Sequence, residues 1–316
     1  MNKKKISEKS RFGFAAVAIG IALLFCAMAA FSQEVPDGNV SAANSTVDML
    51  FMLIQIQADV QGSLNDLDSD VANASQDLSA TGLEGTAARD VLRKLLESNP
   101  NLAEAVTFSK DGKVLMAECS GCFEDGKDNE GADTGSQDLQ SIHSTENLSK
   151  PSIEQIARVL KTKAPDFSEE YQMTEGYNGT ALTYPVFSLQ GELQGGIATT
   201  IVPDKLMNAL VAPQLCFDIY NRSNITDYSF WLMHLDGLIA YDRDESQIGK
   251  YLFEDPLYKP YPSLLALGEK MITARSGHGY YSFQVTEGNK RVVTKESYWT
   301  TAGLHPTFRT NSQICQ

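Results

Sequence analysis

Arg158, Asp166, Tyr171, Tyr177 and Tyr184 put two opposite charges and three phenol rings into one short stretch of the chain. An arginine grips a carboxylate through paired hydrogen bonds, an aspartate holds an ammonium, and a tyrosine offers both a ring and a hydroxyl. Such a set suits the capture of a small polar solute. Plainer roles compete: Arg158 as a solvated helix residue, Asp166 as a turn cap, and Tyr184, just before Pro185, as strand core. A comparable set recurs later as Trp231, His234, Tyr241, Asp242 and Arg243. Trp231 alternates with Phe230, so one ring should face in and the other out. Core packing explains the inward ring as well as ligand contact does.

Metal and redox chemistry have thinner support. Cys119 and Cys122 form a C-x-x-C, which is a redox pair, half a zinc site or a local disulfide. Zinc needs two further ligands, and His143, His234, His278 and His305 lack the required spacing. A disulfide closing the loop after a hairpin is the preferred reading. The acidic loop with Asp125, Asp128, Asn129, Glu130 and Asp133 does not follow the calcium-loop order and reads as solvated. No metal or cofactor is expected. Nucleophile-elbow, zinc-protease, phosphate-loop and dinucleotide motifs are all missing, so no catalytic residue is assigned.

The elements that must position these groups are written twice. Ala105–Met116 and Phe230–Tyr241 are each an apolar run, an Asp-Gly pair and a second apolar run, the pattern of a tight β-hairpin. Each is followed by a helical stretch and further strands. Ahead of both, Ile56, Val60, Leu64, Leu67 and Val71 fall on one helical face, with Asp59, Gln61, Asn65, Asp66, Asp68 and Asp70 opposite. That helix is a stalk packed on its own domain or half of a dimer seam. The expected fold class is α+β: a long N-terminal helix and two tandem antiparallel-sheet modules. The segments are 1–32 as leader, 33–98 as linker and stalk helices, 99–212 as the first module, and 213–316 as the second with a short tail. After Leu304 the sequence turns polar, so any last strand is short or missing.

The charge pattern fits export. The formal net charge of the 316 residues is −14, which disfavours nucleic acid as a partner. Residues 1–32 carry Lys3, Lys4, Lys5, Lys9 and Arg11 against Glu8, a net of +4, so the body carries −18. Phe12 to Phe31 is an apolar run that serves as a signal peptide or as a retained anchor. Ala27-Met28-Ala29 and Ala30-Phe31-Ser32 offer A-x-A-like cleavage sites. Seven N-x-[ST] sites, from Asn39 to Asn224, are compatible with a glycoprotein.

The two Asp-Gly hairpins, Tyr184-Pro185-Val186-Phe187 with Gly195-Gly196-Ile197, and Ile248-Gly249 resemble the double Cache family of extracytoplasmic sensors, whose modules are PAS-like. The segment Lys295–His305 looks like the closing hairpin of stand-alone Cache proteins of methanogenic archaea. The resemblance spans about residues 45–304. It implies a sensor module for an amino acid or carboxylate-like solute, bound in the membrane-distal module, 99–212, with Arg158, Asp166, Tyr171, Tyr177 and Tyr184 as ligand contacts. It also implies membrane association through residues 12–31 or secretion after cleavage, a homodimer through the stalk helix, and a separate signalling or transport partner. A cell-envelope structural or interaction protein using the same fold, and a redox protein using Cys119 and Cys122, are the alternatives.

Overall fold

The structure is a computed structural model and describes residues 27–34, 42–120, 148–168, 170–173, 178–211, 229–285 and 291–304. Of the side chains in 27–34 and 42–48, and of that of Tyr171, nothing is described. Tyr177, Cys122, residues 1–26 and the acidic loop lie outside the described residues.

The backbone is α1 (Ala42–Thr81), a helix of 40 residues. Its apolar stripe recurs every three or four positions, and Met49, Leu53, Ile56, Val60, Leu64, Leu67, Val71 and Leu78 are all buried. The stripe predicted from sequence therefore packs on the chain's own sheets. Gly82 and Gly85, at φ +87° and +89°, break the helix and start α2 (Thr86–Ser98).

The first module follows. β2 (Leu102–Ser109) and β3 (Val114–Cys119) form the first predicted hairpin, with Gly112 at φ +79° in its turn. Helix α3 (Lys150–Thr162) starts at Ser149, whose hydroxyl accepts the Ser152 N–H. β4 (Asp166–Phe167), β5 (Tyr171–Gln172), β6 (Asn178–Phe187) and β7 (Leu193–Ile201) complete the sheet, and α4 covers 203–211. The strand order is β3-β2-β7-β6-β4, with β5 paired to β6, and every pairing is antiparallel.

The second module holds β8 (Ser229–Met233), β9 (Ile239–Asp242), α5 (Pro262–Thr273), β10 (Gly277–Val285) and β11 (Arg291–Ala302). Gly237, at φ +92°, turns the second hairpin. Two details differ from expectation. The segment from Lys295 likened to a closing hairpin runs to Ala302 within one unbroken strand, Arg291–Ala302. The centre of the sheet is β1 (Ala27–Glu34), so the order is β10-β11-β1-β8-β9. The segment assigned to the leader, 1–32, thus ends inside the second sheet. An apolar run of small and aromatic residues has no period that separates a leader from a strand covered on both faces.

This sheet is covered on both faces. Phe230, Leu232, Ala240 and Ala302 join the core beneath α1, while Trp231, Met233, Ile239 and Trp299 join a second core beneath α5. Phe230 and Trp231 are therefore both buried, and the expected in-and-out split gives way to two cores. Helix α1 serves both modules. Gln57 and Gln61 donate to the Thr301 and Gly303 carbonyls, and the Ser75 hydroxyl donates to the Pro185 carbonyl.

Candidate functional site

In the first module the predicted pair meets itself. The Arg158 guanidinium donates to Asp166 Oδ2 at 2.9 Å. Asp166 is buried, held in place by β4 against β6, and Gln155 ties the β4 backbone down through the Asp166 and Ala181 carbonyls. Asp166 Oδ1 is buried without a hydrogen-bond partner among the described residues. Tyr184 points to the helix, where its hydroxyl donates to Asp68 Oδ1 at 2.5 Å. Burial, and then that bond, push its phenol pKa up. Cys119 is disulfide-bonded.

The second module opens a cavity of about 620 Å³ on the α5 side of its sheet. That volume suits a metabolite-sized ligand. Trp231 from β8 and Tyr281 and Phe283 from β10 form the sheet wall. Tyr258 and Tyr261, from the turn-rich stretch before α5, face them across the cavity, and Ile239, Leu252 and Leu264 supply aliphatic surface. The Tyr281 and Phe283 rings stack 6.2 Å apart, as same-face neighbours on a strand do.

Charges of both signs line the same cavity. Asp242 ends β9, and Arg243 and Asp244 follow it. Lys295 comes from β11, its Nζ 5.3 Å from the centre of the Phe283 ring. Burial pushes the Asp242 carboxyl above the ordinary carboxylate range, against the opposing effects of the Asp244 N–H and Lys295. The Asp244 N–H donates to Asp242 Oδ1 at 2.8 Å. Gln247 donates to Asp244 and accepts the Tyr258 hydroxyl at 2.5 Å, so the tyrosine wall and the acidic turn are one hydrogen-bonded unit. Burial and the nearby Asp242 charge push the Tyr258 phenol pKa up, so its hydroxyl is a donor at neutral pH.

Of the second set named from sequence, Trp231, Asp242 and Arg243 line this cavity. Tyr241 faces the other core, its ring 6.1 Å from Phe230, and His234 turns to Glu170. Sequence reasoning missed Tyr258, Tyr261, Tyr281, Phe283 and Lys295. The Pro- and Tyr-rich run Pro256–Pro262 was the signal for the first two, and the alternation Tyr281, Phe283 for the next. Among the described residues, no group of three or more His, Cys, Asp or Glu could hold a metal ion. Nor is any helix there long and apolar enough to cross a membrane.

Residues 62–153 and 143–203 match the family model described as HK/GC/Chemotaxis protein-like, sensor domain. A solved structure described as an extracellular ligand binding receptor from Desulfohalobium retbaense DSM5692 superposes with a TM-score of 0.54 at 21% identity, covering 80% of this chain. Two PAS-like sheets in series on one helix decide the architecture. The chain has the double Cache fold. It spans 40% of the length of the Desulfohalobium protein chain. Other solved structures align with lower scores. The ligand-binding domain of Pseudomonas fluorescens chemoreceptor CtaA, in complex with L-valine, gives a TM-score of 0.46 at 13% identity over 83% of this chain and 100% of that one. The ligand-binding domain of Pseudomonas aeruginosa PAO1 amino acid chemoreceptor PctB, in complex with L-Gln, gives 0.46 at 14% over 79% and 88%. No curated protein matches the chain.

Proposed function

We propose that this chain is an extracytoplasmic sensor module that binds a small zwitterionic solute, such as an amino acid, in the cavity of its second module. The observation that carries the reading is one cavity of about 620 Å³ with two acids, two bases and five aromatic rings on its walls. In this reading Asp242 holds the ammonium, Arg243 and Lys295 hold the carboxylate, and the rings enclose the apolar part. A solute with both charges finds a partner for each in this lining, whereas a simple cation or anion uses only one sign of it. The match of residues 62–203 to a sensor-domain family is compatible with this role. Binding would draw the 251–261 stretch and α5 toward the sheet and so favour a closed state. The signal would then pass to a separate partner.

The test is calorimetry and thermal shift on the full chain against a panel of amino acids, betaines, amines and organic acids. A zwitterion bound at one hundred times its Kd should stabilise the chain by about 2.7 kcal/mol. Asp242→Asn and Lys295→Met should each remove that effect. A flat response across the panel would end the proposal.

One atom favours a second site. Asp166 Oδ1, buried and without a partner among the described residues, is the acceptor that an ammonium in the first module would use, with Arg158 alongside for a carboxylate. Tyr171 and Tyr177 would complete that site. Asp166→Asn would abolish binding there while leaving binding in the second cavity intact.

A further inference from the structure

The two sheets share one plan and differ in where one strand comes from. In the first, β7 is the module's own last strand and lies between β2 and β6, antiparallel to both. In the second, the equivalent slot between β8 and β11 is filled by β1, again antiparallel to both, but drawn from the far N-terminal side of the chain. The register runs from Ala27 opposite Ala302 to Glu34 opposite Lys295, and from Met28 opposite Met233 to Ser32 opposite Ser229. Adjacent strands lie about 4.8 Å apart, so β8 and β11 sit about twice that distance from each other and cannot pair without the strand between them. Without β1 the sheet becomes two hairpins with bare inner edges. Those edges would lie between two apolar cores, where unpaired amide groups are costly. The strand also pairs with residues that line the cavity, Ala30 opposite Trp231 and Glu34 opposite Lys295.

We infer that Ala27–Glu34 is a permanent part of the working protein and that neither A-x-A site within it is cut. Cleavage after Ala29 would strip the first three residues of β1, and cleavage after Ser32 would leave only Gln33 and Glu34. Either cut would open the slot. The uncut chain attaches whatever precedes Ala27 directly to the middle strand of the second sheet. This inference rests on strand pairing alone and holds whichever module takes the ligand.

The experiment is intact-mass and N-terminal analysis of the full chain, tagged at its C-terminus and produced in an exporting host, together with backbone hydrogen exchange. The expected N-terminus lies before Ala27, with protected amides in β8 and β11. A mature N-terminus at Ala30 or Gln33, in a protein with those amides still protected, would overturn the inference. A second variant begins at Val35 behind an unrelated cleavable leader. It should lose protection in β8 and β11 and regain it when a peptide of residues 27–34 is added. Full protection without the peptide would also overturn the inference, because some other strand would then fill the slot.

Discussion

Glu170 and His234 belong to different modules, yet Oε2 of the first and Nε2 of the second lie 3.2 Å apart, both side chains buried. Glu170 sits between β4 and β5, and His234 opens the turn of the β8–β9 hairpin. The hairpin continues into Asp242 on the cavity wall. The hairpin that carries part of the cavity wall is therefore joined to the first module by a polar contact as well as by α1.

The pair should be energetically coupled. Glu170→Ala leaves a buried imidazole without its partner, which costs about 1–3 kcal/mol. His234→Ala should cost a similar amount. A double-mutant cycle followed by denaturant unfolding should return a coupling energy of at least about 0.5 kcal/mol. Strict additivity would show that the contact contributes nothing to joining the modules.

Asp242 should weaken the empty protein while serving its ligand. Its carboxyl pKa lies above the ordinary 3.8 because of burial, so the folded chain holds a proton that the unfolded chain has released. Stability therefore falls as pH rises from about 4 through the raised value and is flat above it. Asp242→Asn should remove that fall, raise the melting temperature of the ligand-free chain by about 2–4 °C for each kcal/mol gained, and abolish binding. Melting curves of both proteins from about pH 4 to 8 check this. A lower melting temperature for the variant at neutral pH would contradict it.

Tyr184 should behave as structure. Tyr184→Phe removes the hydrogen bond to Asp68 that fastens the first sheet to α1 and should cost about 0.5–1.5 kcal/mol in urea unfolding. The affinity for a solute in the second cavity should not change. A large loss of affinity would show that the first module carries the binding.

The glycines of the two hairpins should not be equal. Both have positive φ, but a Cβ on Gly112 would meet its nearest side chain at 3.5 Å, whereas one on Gly237 would lie 2.6 Å from the Phe253 ring. Gly112→Ala should cost about 1 kcal/mol from backbone strain alone. Gly237→Ala should cost more, because the ring must also move. Equal melting temperatures for the two variants would contradict the described turn.

The parts of the fold legible in the sequence were those set by local rules. The two Asp-Gly turns and the stripe from Ile56 to Val71 follow from backbone sterics and helical period, and both stand as read. The slot for β1 was not legible, because strand pairing between Ala30 and Trp231 spans most of the chain and no local pattern announces it. The cavity was half legible. Trp231 and Asp242 were visible as residue types on a hairpin, but Lys295 reaches the same cavity only through the packing of β11 beside β1. Arg158 and Asp166 were visible as opposite charges close in sequence, and the structure bonds them to each other.

The most direct measurement uses the two tryptophans of the chain, Trp231 and Trp299, both in the second module. Trp231 lines the cavity, and Trp299 is fixed behind it by its N–H bond to the Ala274 carbonyl. Tryptophan fluorescence followed during titration with the best-binding amino acid should change saturably, with the same Kd as calorimetry. The change should vanish in Asp242→Asn and persist in Arg158→Ala. Calorimetric binding with silent tryptophans, lost in Arg158→Ala and kept in Asp242→Asn, would move the site to the first module and contradict the account.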